Sequence, residues 1–371
     1  MGFVLLVVMA IAPLRLEDLS ATPMDIALHA PFGISGGAQD VARNGLVAVT
    51  LADGTVGYGE AAPLPAYNGE TQAQALAVLA AGKAAVEGQD VRDWRAVAAR
   101  FRAAGGGACG SAQAGFELAL IDALARSEGR SLTAFFGGAE TELETDMTVT
   151  TGTAAEAAEA ARDIRRRGIR LIKVKVGGKG GPALDLARLS AIHEVAPASP
   201  LIIDANAGLS RADASELVRG LKARGIVPAV LEQWLAKDDL AGMRALGAES
   251  GWPVAADEAA CTAEDVRKIA RERAAQIVNI KLMKAGVAEA LDLVAAAREC
   301  GLGLMIGGNV ESMLAMTVSA CFACGLGGFK YADLDTPLFL ATNPFNGGYA
   351  LDGGRISVAH ITAGHGVVPQ R

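Results

Sequence analysis

The 371-residue chain is 51% hydrophobic and 20% charged, with a formal net charge of −7. This mixture excludes a disordered chain, and the length allows two or three domains. Because the Lys and Arg residues are scattered and form no basic stripe, nucleic acid and anionic membranes are excluded as partners on electrostatic grounds. A small molecule is therefore the expected ligand.

The chain begins with an apolar run of twelve residues, MGFVLLVVMAIA. The run is similar to a short signal-peptide core, but it lacks a basic leader and a convincing cleavage sequence, and it is too short to span a bilayer. The alternative interpretation is an upstream extension within residues 1–9, in which Met9 is the natural start. Five cysteines are an odd number for a disulfide framework, so a reducing, cytoplasmic location is predicted. The lone CxxC pair, Cys321 and Cys324, is expected to be two buried free thiols rather than a zinc site.

Residues 10–143 show no regular alternation of strands and helices. Extended segments come first, including GLVAVTLADGTVGYGEA with an Asp-Gly turn, and helices follow over residues 72–87 and 111–127. Gly129 is placed to end the second helix. Residues 1–143 are therefore predicted to form an α+β capping domain.

From residue 145 onward, eight short β-branched or apolar runs are separated by helical stretches. The runs are DMTVT, IRLIKVKV, PLIIDAN, AVLEQ, PVAAD, QIVNIKL, LGLMIGG and FKYADLD. This alternation predicts a (β/α)8 TIM-type barrel over residues 144–340, so the chain is of the α/β class with an N-terminal α+β capping domain. Residues 341–371 hold an NGGY turn and a final strand, RISVA, and are expected to return to the capping domain.

Five charged residues recur at intervals of 24 to 29 residues, each in one of the strand-like runs. They are Lys175, Asp204, Glu232, Asp257 and Lys281. Because this interval corresponds to one β/α unit, the five side chains are expected at one end of the barrel. An unpaired charge is costly in an apolar interior, so the five are expected to converge on a metal, a substrate or one another.

Three of these residues are carboxylates on neighbouring strands, namely Asp204, Glu232 and Asp257. Each taken alone is more often a helix cap or a surface ion pair, but three at barrel spacing predict an oxygen-rich site for Mg²⁺. Zinc is not expected, because the four histidines are scattered and none lies beside these carboxylates.

Lys173 and Lys175 lie two positions apart on the second strand, so both side chains are expected to point into the barrel. Like charge and partial burial are expected to lower both pKa values and to make a lysine a competent general base. Lys281 ends strand six, across the barrel mouth. Two bases on opposite faces of one α-carbon suit racemisation or epimerisation through an enediolate, which Mg²⁺ would stabilise. An ion pair between Lys281 and Asp257 is the alternative role.

The segments KVK, IIDAN, LEQ, ADE and NIKLMKAG resemble the enolase superfamily, specifically its muconate-lactonizing-enzyme subgroup, over nearly the whole chain. The resemblance implies that Lys175 and Lys281 are the acid/base pair. The Mg²⁺ ligands that it implies are Asp204, Glu232 and Asp257. It also implies that Lys173 supports the substrate carboxylate and tunes Lys175, and that the capping domain closes over the mouth.

Strand eight continues as ADLDTPLFL, which resembles the DxD motif of dipeptide epimerases of the L-Ala-D/L-Glu epimerase type. In that motif two aspartates, here Asp333 and Asp335, hold the α-ammonium of the N-terminal residue. Alternation along a strand can aim both carboxylates at one ammonium group. A cap and a loop charge are the alternative roles. The other implied residues are Thr148, Gly308 and Asn309 in the substrate cleft, and Asn206 and Glu258 as supports of the metal ligands.

Two departures bear on the substrate and its site. Glutamate-specific relatives carry an Arg just after a Pro-Phe pair, whereas PFGISGG at residues 31–37 has none. The substrate is therefore expected to be an L,L-dipeptide, L-Ala-X, in which X is not restricted to glutamate and extends to apolar residues. The second departure is LEQW in place of LEQP, where Trp234 is expected to alter the loop after strand four.

Other members of the subgroup share the lysines and the metal ligands. A cycloisomerase, an o-succinylbenzoate synthase and an N-acylamino acid racemase are therefore alternatives, although none of them needs paired carboxylates for a substrate ammonium. A non-catalytic barrel that binds a metal and a small ligand is the alternative of another class, and the complete set of lysines and carboxylates argues against it. Assembly into a homo-oligomer is left open.

Overall fold

The computed structural model describes residues 13–34 and 37–370. The apolar run at residues 1–12, part of which was interpreted as an upstream extension, lies outside the described residues. No helix in the described part of the chain is both long enough and apolar enough to cross a membrane.

A three-stranded antiparallel sheet begins the fold, in which β1 pairs with β2 and β2 pairs with β3. The strands are β1 (Leu16–Ile34), β2 (Gly37–Leu51) and β3 (Val56–Ala61). The expected Asp-Gly turn joins β2 to β3, because Asp53 Oδ1 accepts a hydrogen bond from Thr55 N and Gly54 adopts a φ of 83°. Glycine reaches this left-handed conformation without a steric penalty.

Five helices follow this sheet. They are α1 (Pro65–Asn68), α2 (Gln72–Val86), α3 (Trp94–Ala103), α4 (Gly110–Ser127) and α5 (Leu132–Phe135). Helices α2 and α4 confirm the two predicted helices. Helix α4 is buried along most of its length and lies directly against β3, where a Cβ atom at Gly57 or Gly59 would come within 2.2 Å of the α4 backbone. The two glycines therefore allow the close approach of sheet and helix.

Eight parallel strands then form one sheet in which each strand pairs with the next along the chain. They are β5 (Met147–Val149), β6 (Ile172–Lys175), β7 (Leu201–Asp204), β8 (Val230–Glu232), β9 (Val254–Ala256), β10 (Ile277–Lys281), β11 (Gly303–Gly307) and β12 (Phe329–Ala332). A parallel bridge between Thr145 and Ala332 joins the last strand to the segment before the first. The sheet therefore closes into the predicted barrel, and all eight predicted strands are confirmed.

Seven helices cover the outside of the barrel, one after each of the first seven strands. They are α6 (Ala154–Arg166), α7 (Gly181–Val195), α8 (Arg211–Ala223), α9 (Leu240–Ser250), α10 (Ala263–Glu272), α11 (Val287–Glu299) and α12 (Met313–Leu326). Several begin at a Ser, Thr or Asp side chain that accepts a backbone hydrogen bond, as Thr153 and Thr262 do in complete capping boxes. Cys321 and Cys324 lie buried and unbridged on α12, where burial raises both thiol pKa values to about 12, so the expected free thiols are confirmed.

The C-terminal segment adds four short strands. They are β13 (Phe345–Gly347), β14 (Ala350–Asp352), β15 (Arg355–Ser357) and β16 (Val367–Pro369). The predicted strand RISVA appears as β15 and pairs with β14 and with β4 (Glu142–Glu144), while β13 pairs with β16. The segment also contacts α4, because His365 Nε2 lies 3.1 Å from Asp122 Oδ2. The boundaries at residues 143/144 and 340/341 stay predictions.

Buried carboxylates of the N-terminal region bind helix ends of the barrel. Glu60 on β3 accepts hydrogen bonds from Ser312 N and Ala315 N at the start of α12, and Glu117 on α4 accepts one from Ala288 N at the start of α11. The amino ends of these helices carry unpaired N–H groups and a partial positive charge, which a carboxylate satisfies. Since both helices begin at the carboxyl ends of barrel strands, these contacts hold the N-terminal region over the barrel mouth.

Candidate active site

The register of the barrel strands brings the recurring charged residues together. Lys175 pairs with Asp204, and Asp204 pairs with Glu232, across adjacent strands. Asp257 directly follows β9, and Lys281 ends β10. Each of the five side chains is buried, with at most 6% of any residue exposed. The five predicted charges therefore lie at the carboxyl ends of five consecutive strands, as expected.

Each of the three predicted ligand carboxylates has one oxygen held from one side and one oxygen facing a lysine. Asp204 Oδ1 accepts a hydrogen bond from Asn206 N at 2.8 Å, while Oδ2 lies 2.6 Å from Lys175 Nζ and 3.0 Å from Lys173 Nζ. Glu232 Oε1 accepts a hydrogen bond from Asn279 Nδ2 at 2.8 Å, while Oε2 lies 2.8 Å from Lys173 Nζ.

Asp257 repeats the same division between its two oxygens. Its Oδ1 lies 2.9 Å from Lys284 Nζ, and its Oδ2 lies 2.7 Å from Lys281 Nζ. One oxygen of each ligand carboxylate is thus oriented toward an ammonium group, where a cation can take its place. Three carboxylate oxygens form a hard, all-oxygen donor set, and this set fits Mg²⁺.

Lys173 and Lys281 are stabilised in their charged form by the carboxylates around them. Burial alone would lower the pKa of Lys173, but the carboxylates of Asp204, Asp333 and Glu232 outweigh burial and hold the pKa well above its ordinary value. The same balance, with Asp257 as the main partner, raises the pKa of Lys281. The prediction of a lowered pKa for Lys173 was therefore wrong, because carboxylates from other strands outnumber the neighbouring lysine. A divalent cation on those carboxylates would reduce this stabilisation.

A small cavity at the barrel mouth joins the two predicted acid/base lysines. Seven predicted site residues line it, namely Thr148, Lys175, Asn206, Lys281, Gly308, Asn309 and Asp333. Strands β6 and β10 lie on opposite sides of the eight-stranded barrel, so Lys175 and Lys281 approach the cavity from opposite sides. The ion pair between Lys281 and Asp257 that the sequence left open is also present.

Tyr67 on α1 is a site residue that sequence reasoning missed. Its ring centroid lies 4.8 Å from Lys281 Nζ, and its hydroxyl donates a hydrogen bond of 3.4 Å to Asp257 Oδ1. Tyr67 belongs to the segment PAYNGET, residues 65–71, in which no pattern indicates which side chain reaches the barrel. Tyr67, Phe32 and Leu64 therefore form one wall of the cavity, which the N-terminal region contributes.

A second group of carboxylates, the acidic group, consists of Asp146, Asp333 and Asp335. All three are buried, and one oxygen of each lies within 4.8 Å of the others. Asp333 Oδ2 lies 2.7 Å from Lys173 Nζ, and Asp335 Oδ2 accepts a hydrogen bond from Thr148 N at 2.6 Å. Asp146 begins the predicted strand-one run DMTVT but was not predicted as a site residue, because it directly precedes β5 and lies outside the recurring pattern of charges.

The acidic group is short of positive partners. Both oxygens of Asp146 and Oδ1 of Asp335 have no hydrogen-bond donor among the described residues. Burial, followed by the charge of Asp333, raises the pKa of Asp335 to about 7 and raises the pKa of Asp146 well above its ordinary range. A buried group of this kind attracts a cation or a proton.

The two predicted supporting residues contact the ligand region. Asn206 Oδ1 accepts a hydrogen bond from Lys175 Nζ at 3.1 Å, and Asn206 Nδ2 donates one to Glu258 Oε1 at 3.2 Å. Burial and the adjacent Asp257 charge raise the pKa of Glu258 to about 8. Asn309 lines the cavity but donates from Nδ2 to Ala62 O, so its amide also ties the barrel to the N-terminal region.

Trp234 lies away from the cavity. Its side chain is fully buried in the main hydrophobic core, and Nε1 donates a hydrogen bond of 2.8 Å to Ile203 O. The substitution in the LEQW segment therefore adds to the packing of the barrel wall and places no side chain in the cleft.

Wider openings lie beside the β1–β2 hairpin. One cavity of about 540 Å³ extends from Ala30, Pro31 and Gly33 to Thr148 and Phe339. A smaller one of about 170 Å³ is bounded by Phe32 and Leu64 and also by Arg43, an exposed residue of β2. The N-terminal region thus lines the lysine cavity with the apolar Phe32 and Leu64 and with Tyr67, whereas Arg43 lines the smaller neighbouring cavity and not the one that holds the lysines.

The sequence matches two family models that together cover most of the chain. Residues 18–137 match the N-terminal domain of the mandelate racemase / muconate lactonizing enzyme family, and residues 155–371 match the enolase C-terminal domain-like family. Both matches agree with the resemblance seen in the motifs.

Named relatives and a solved structure are similar over nearly the whole chain. The chain is 50% identical to the aromatic dipeptide epimerase of Herpetosiphon aurantiacus, over 96% of this chain and 99% of that protein. It is 36% identical to the hydrophobic dipeptide epimerase of Citrifermentans bemidjiense, over 96% and 98%. The crystal structure of the Cytophaga hutchinsonii dipeptide epimerase complexed with Mg and D-Ala-L-Val superposes with a TM-score of 0.91 at 30% identity, covering 96% of each chain.

Proposed function

Since the chain belongs to the mandelate racemase / muconate lactonizing enzyme family, we propose that it is a magnesium-dependent dipeptide epimerase, an isomerase. It would invert the α-carbon of the C-terminal residue of an L,L-dipeptide. The observation that carries this proposal is a single cavity that holds Lys175, Lys281 and Asp333. Two proton carriers on opposite sides and a carboxylate for a substrate ammonium are the groups that such a reaction requires.

In this proposal the two lysines exchange roles with the direction of reaction. One lysine, in its neutral form, removes the α-proton, and the other, in its ammonium form, returns a proton to the opposite face of the same carbon. Asn206 accepts a hydrogen bond from Lys175, and the Tyr67 ring lies over Lys281, so each lysine is oriented by a neighbour. Orientation of both groups toward one carbon supplies much of the rate advantage.

Asp204, Glu232 and Asp257 would hold Mg²⁺, which would stabilise the negative charge that develops on the substrate carboxylate as the proton leaves. Lys173 lies between Glu232 and Asp333, at 2.8 Å and 2.7 Å from their oxygens. Its ammonium therefore pairs with both of these carboxylates and would add positive charge near the substrate carboxylate.

The acidic group would receive the α-ammonium of the N-terminal residue. Three carboxylates face a single lysine there, so a second cation is electrostatically favoured. Asp333 lines the cavity, and Asp335 is held in place by Thr148 N. Cycloisomerases, o-succinylbenzoate synthases and N-acylamino acid racemases act on substrates without this ammonium, so the acidic group favours a dipeptide.

The apolar walls favour an uncharged side chain on the epimerised residue. Phe32, Leu64 and Tyr67 line the cavity beside the lysines, and the relatives named above are an aromatic and a hydrophobic dipeptide epimerase. Burying a substrate carboxylate against these walls without a partner would be costly. The preferred substrates would therefore be L-Ala-X with an aromatic or aliphatic X, and Arg43 is the residue that would have to serve a glutamate.

The experiment is a mass-spectrometric screen of L,L-dipeptides incubated with the protein and Mg²⁺ in deuterated water. Deuterium is expected at the C-terminal α-carbon, fastest for L-Ala-L-Phe, L-Ala-L-Tyr and L-Ala-L-Leu. A kinetic preference for L-Ala-L-Glu would contradict the proposed specificity. Exchange in N-acylamino acids but in no dipeptide would contradict the proposed function.

Location and assembly are also part of the proposal. All five cysteines are free, and three of them are buried, which supports a reducing compartment such as the cytoplasm. A homo-oligomer stays a prediction that sedimentation analysis of the purified protein tests.

A further inference from the structure

The hydrogen bonds around two ligand carboxylates lead us to propose that Asn279 and Lys284 are positioning residues, which restrict Glu232 and Asp257 to one metal-binding oxygen each. They are the first and last residues of one segment, NIKLMK, whose third residue Lys281 is the proposed acid/base lysine. The inference rests on the proposed metal site and deepens it.

Asn279 holds Glu232 across the barrel interior. Its Nδ2 donates a hydrogen bond of 2.8 Å to Glu232 Oε1, and both residues are fully buried. Strand β9 lies between β8 and β10, so the amide spans one intervening strand. Gly307 gives this amide room, because a Cβ atom there would lie 2.9 Å from Asn279 Oδ1. The remaining oxygen, Glu232 Oε2, faces Lys173.

Lys284 holds Asp257 and the loop that carries it. Its Nζ donates hydrogen bonds to the carbonyl oxygens of Asp257, Ala260 and Asn279 at 2.6, 3.0 and 2.8 Å, and it lies 2.9 Å from Asp257 Oδ1. Four oxygens thus surround one ammonium whose side chain is 3% exposed. Lys284 does not line the cavity that contains Lys175 and Lys281. Its contacts join the end of β10 to the loop after β9.

Holding one oxygen of each carboxylate keeps coordination positions of the metal open. Mg²⁺ demands near-ideal octahedral geometry and keeps positions for water and substrate. A carboxylate that rotates to bind through both oxygens would occupy a position that the substrate needs. With Glu232 Oε1 and Asp257 Oδ1 held, each side chain presents one oxygen, and the remaining positions stay open.

The test is isothermal titration of Mg²⁺ into metal-free protein. Asn279→Ala and Lys284→Met are expected to bind Mg²⁺ about 10–100-fold more weakly, the usual effect of removing a partner of a metal ligand. Asn279→Ser and Lys284→Arg keep a donor and are expected to be intermediate. Lys330→Met removes an exposed lysine on β12 and is expected to bind Mg²⁺ like the unaltered protein. Epimerisation by Asn279→Ala and Lys284→Met is expected to recover as Mg²⁺ is raised, which a purely structural defect would not show.

Asp257→Asn separates failure of the inference from failure of the metal site. If Asp257→Asn loses Mg²⁺ binding while Asn279→Ala and Lys284→Met bind like the unaltered protein, the positioning role is wrong and the metal site stands. If Asp257→Asn binds Mg²⁺ as tightly as the unaltered protein, the metal site itself is wrong. Should the alanine and methionine variants not fold, Asn279→Ser and Lys284→Arg decide, since unchanged Mg²⁺ affinity in both would overturn the positioning role.

Discussion

The barrel mouth contains two buried groups of three carboxylates that differ in their supply of positive charge. The ligand carboxylates, Asp204, Glu232 and Asp257, face four lysines, whereas the acidic group of Asp146, Asp333 and Asp335 faces Lys173. Burial disfavours ionisation in both groups, but Lys173 and Lys175 outweigh burial at Asp204 and lower its pKa to about 2. At Asp335 burial and Asp333 prevail, and the pKa rises to about 7.

Under the proposed function, buried carboxylates of one barrel would serve two kinds of cation. Under the proposed function the ligand carboxylates would exchange their lysine partners for a divalent cation. The acidic group has one close ammonium among the described residues, Lys173 at Asp333, for three carboxylates, so it is suited to an arriving ammonium group. Lys173 contacts both groups and therefore couples them electrostatically.

Removing one of the two acid/base lysines is expected to have the largest effect on the epimerisation rate. Lys175→Ala and Lys281→Ala are each expected to lower the epimerisation rate by roughly 10²–10⁴-fold, the usual contribution of a positioned proton carrier. Because each variant also removes an ammonium that competes with the metal, Mg²⁺ affinity is expected to be unchanged or tighter. Steady-state kinetics and Mg²⁺ titration check both effects. Retained epimerisation with unchanged Mg²⁺ affinity would show that these lysines do not carry the proton.

Neutralising an aspartate of the acidic group is expected to have the second largest effect, which is a loss of substrate binding. Asp333→Asn and Asp335→Asn are expected to lower kcat/KM for L-Ala-L-Phe by roughly 30-fold or more, since each removes a buried partner of the substrate ammonium. The matched control is exposed Asp352→Asn, which should leave kcat/KM unchanged. Activity on N-acylated substrates that survives in these two variants at the level of the unaltered protein would indicate a racemase of the same subgroup.

The raised pKa of Asp335 predicts a pH-dependent stability. Between about 3.9, the pKa of an unfolded aspartate, and about 7, the folded protein binds a proton that the unfolded chain has lost. Its contribution to the free energy of unfolding therefore falls as pH rises through this window and is constant above it. Urea unfolding of metal-free protein and of Asp335→Asn, compared at several pH values, measures the difference. The free energy of unfolding of the unaltered protein minus that of Asp335→Asn is expected to fall between these pH values. A difference that stays flat or rises would contradict a raised pKa for Asp335.

The smallest expected effect lies outside both groups. Trp234→Phe removes the hydrogen bond from Nε1 to Ile203 O and is expected to cost about 1–3 kcal/mol of stability, because the carbonyl stays buried. Mg²⁺ affinity and kcat/KM are expected to stay close to those of the unaltered protein. Chemical denaturation and kinetics on the same preparation measure both, and a large loss of Mg²⁺ affinity would mean that the barrel wall also sets the ligand geometry.

The barrel and its charged residues were predictable from the sequence because they follow a repeating unit. Each strand is an apolar run, and Asp204 and Glu232 end two of those runs in register, so strand spacing alone places them side by side. The pairing of Asp333 with Lys173 depends on the closure of the barrel between its last and first strands and was not predicted from the sequence.

Residues that join distant segments could not be predicted. Tyr67 reaches Asp257 across 190 residues of sequence, and Asp146 meets Asp333 only because the barrel closes between its last and first strands. The pKa of Lys173 was predicted in the wrong direction for the same reason. Its neighbour Lys175 is visible in the sequence, whereas the carboxylates around it come from three other strand ends.

The most direct test asks whether the two groups of carboxylates bind different cations. Asp257→Asn and Asp335→Asn are each titrated first with Mg²⁺ and then, in the presence of Mg²⁺, with a dipeptide amine, meaning an unreactive dipeptide analogue that keeps its free amino terminus. The account predicts that Asp257→Asn loses Mg²⁺ binding, whereas Asp335→Asn binds Mg²⁺ normally and loses affinity for the dipeptide amine. Loss of Mg²⁺ binding in Asp335→Asn with normal Mg²⁺ binding in Asp257→Asn would contradict it and would assign the metal to the acidic group.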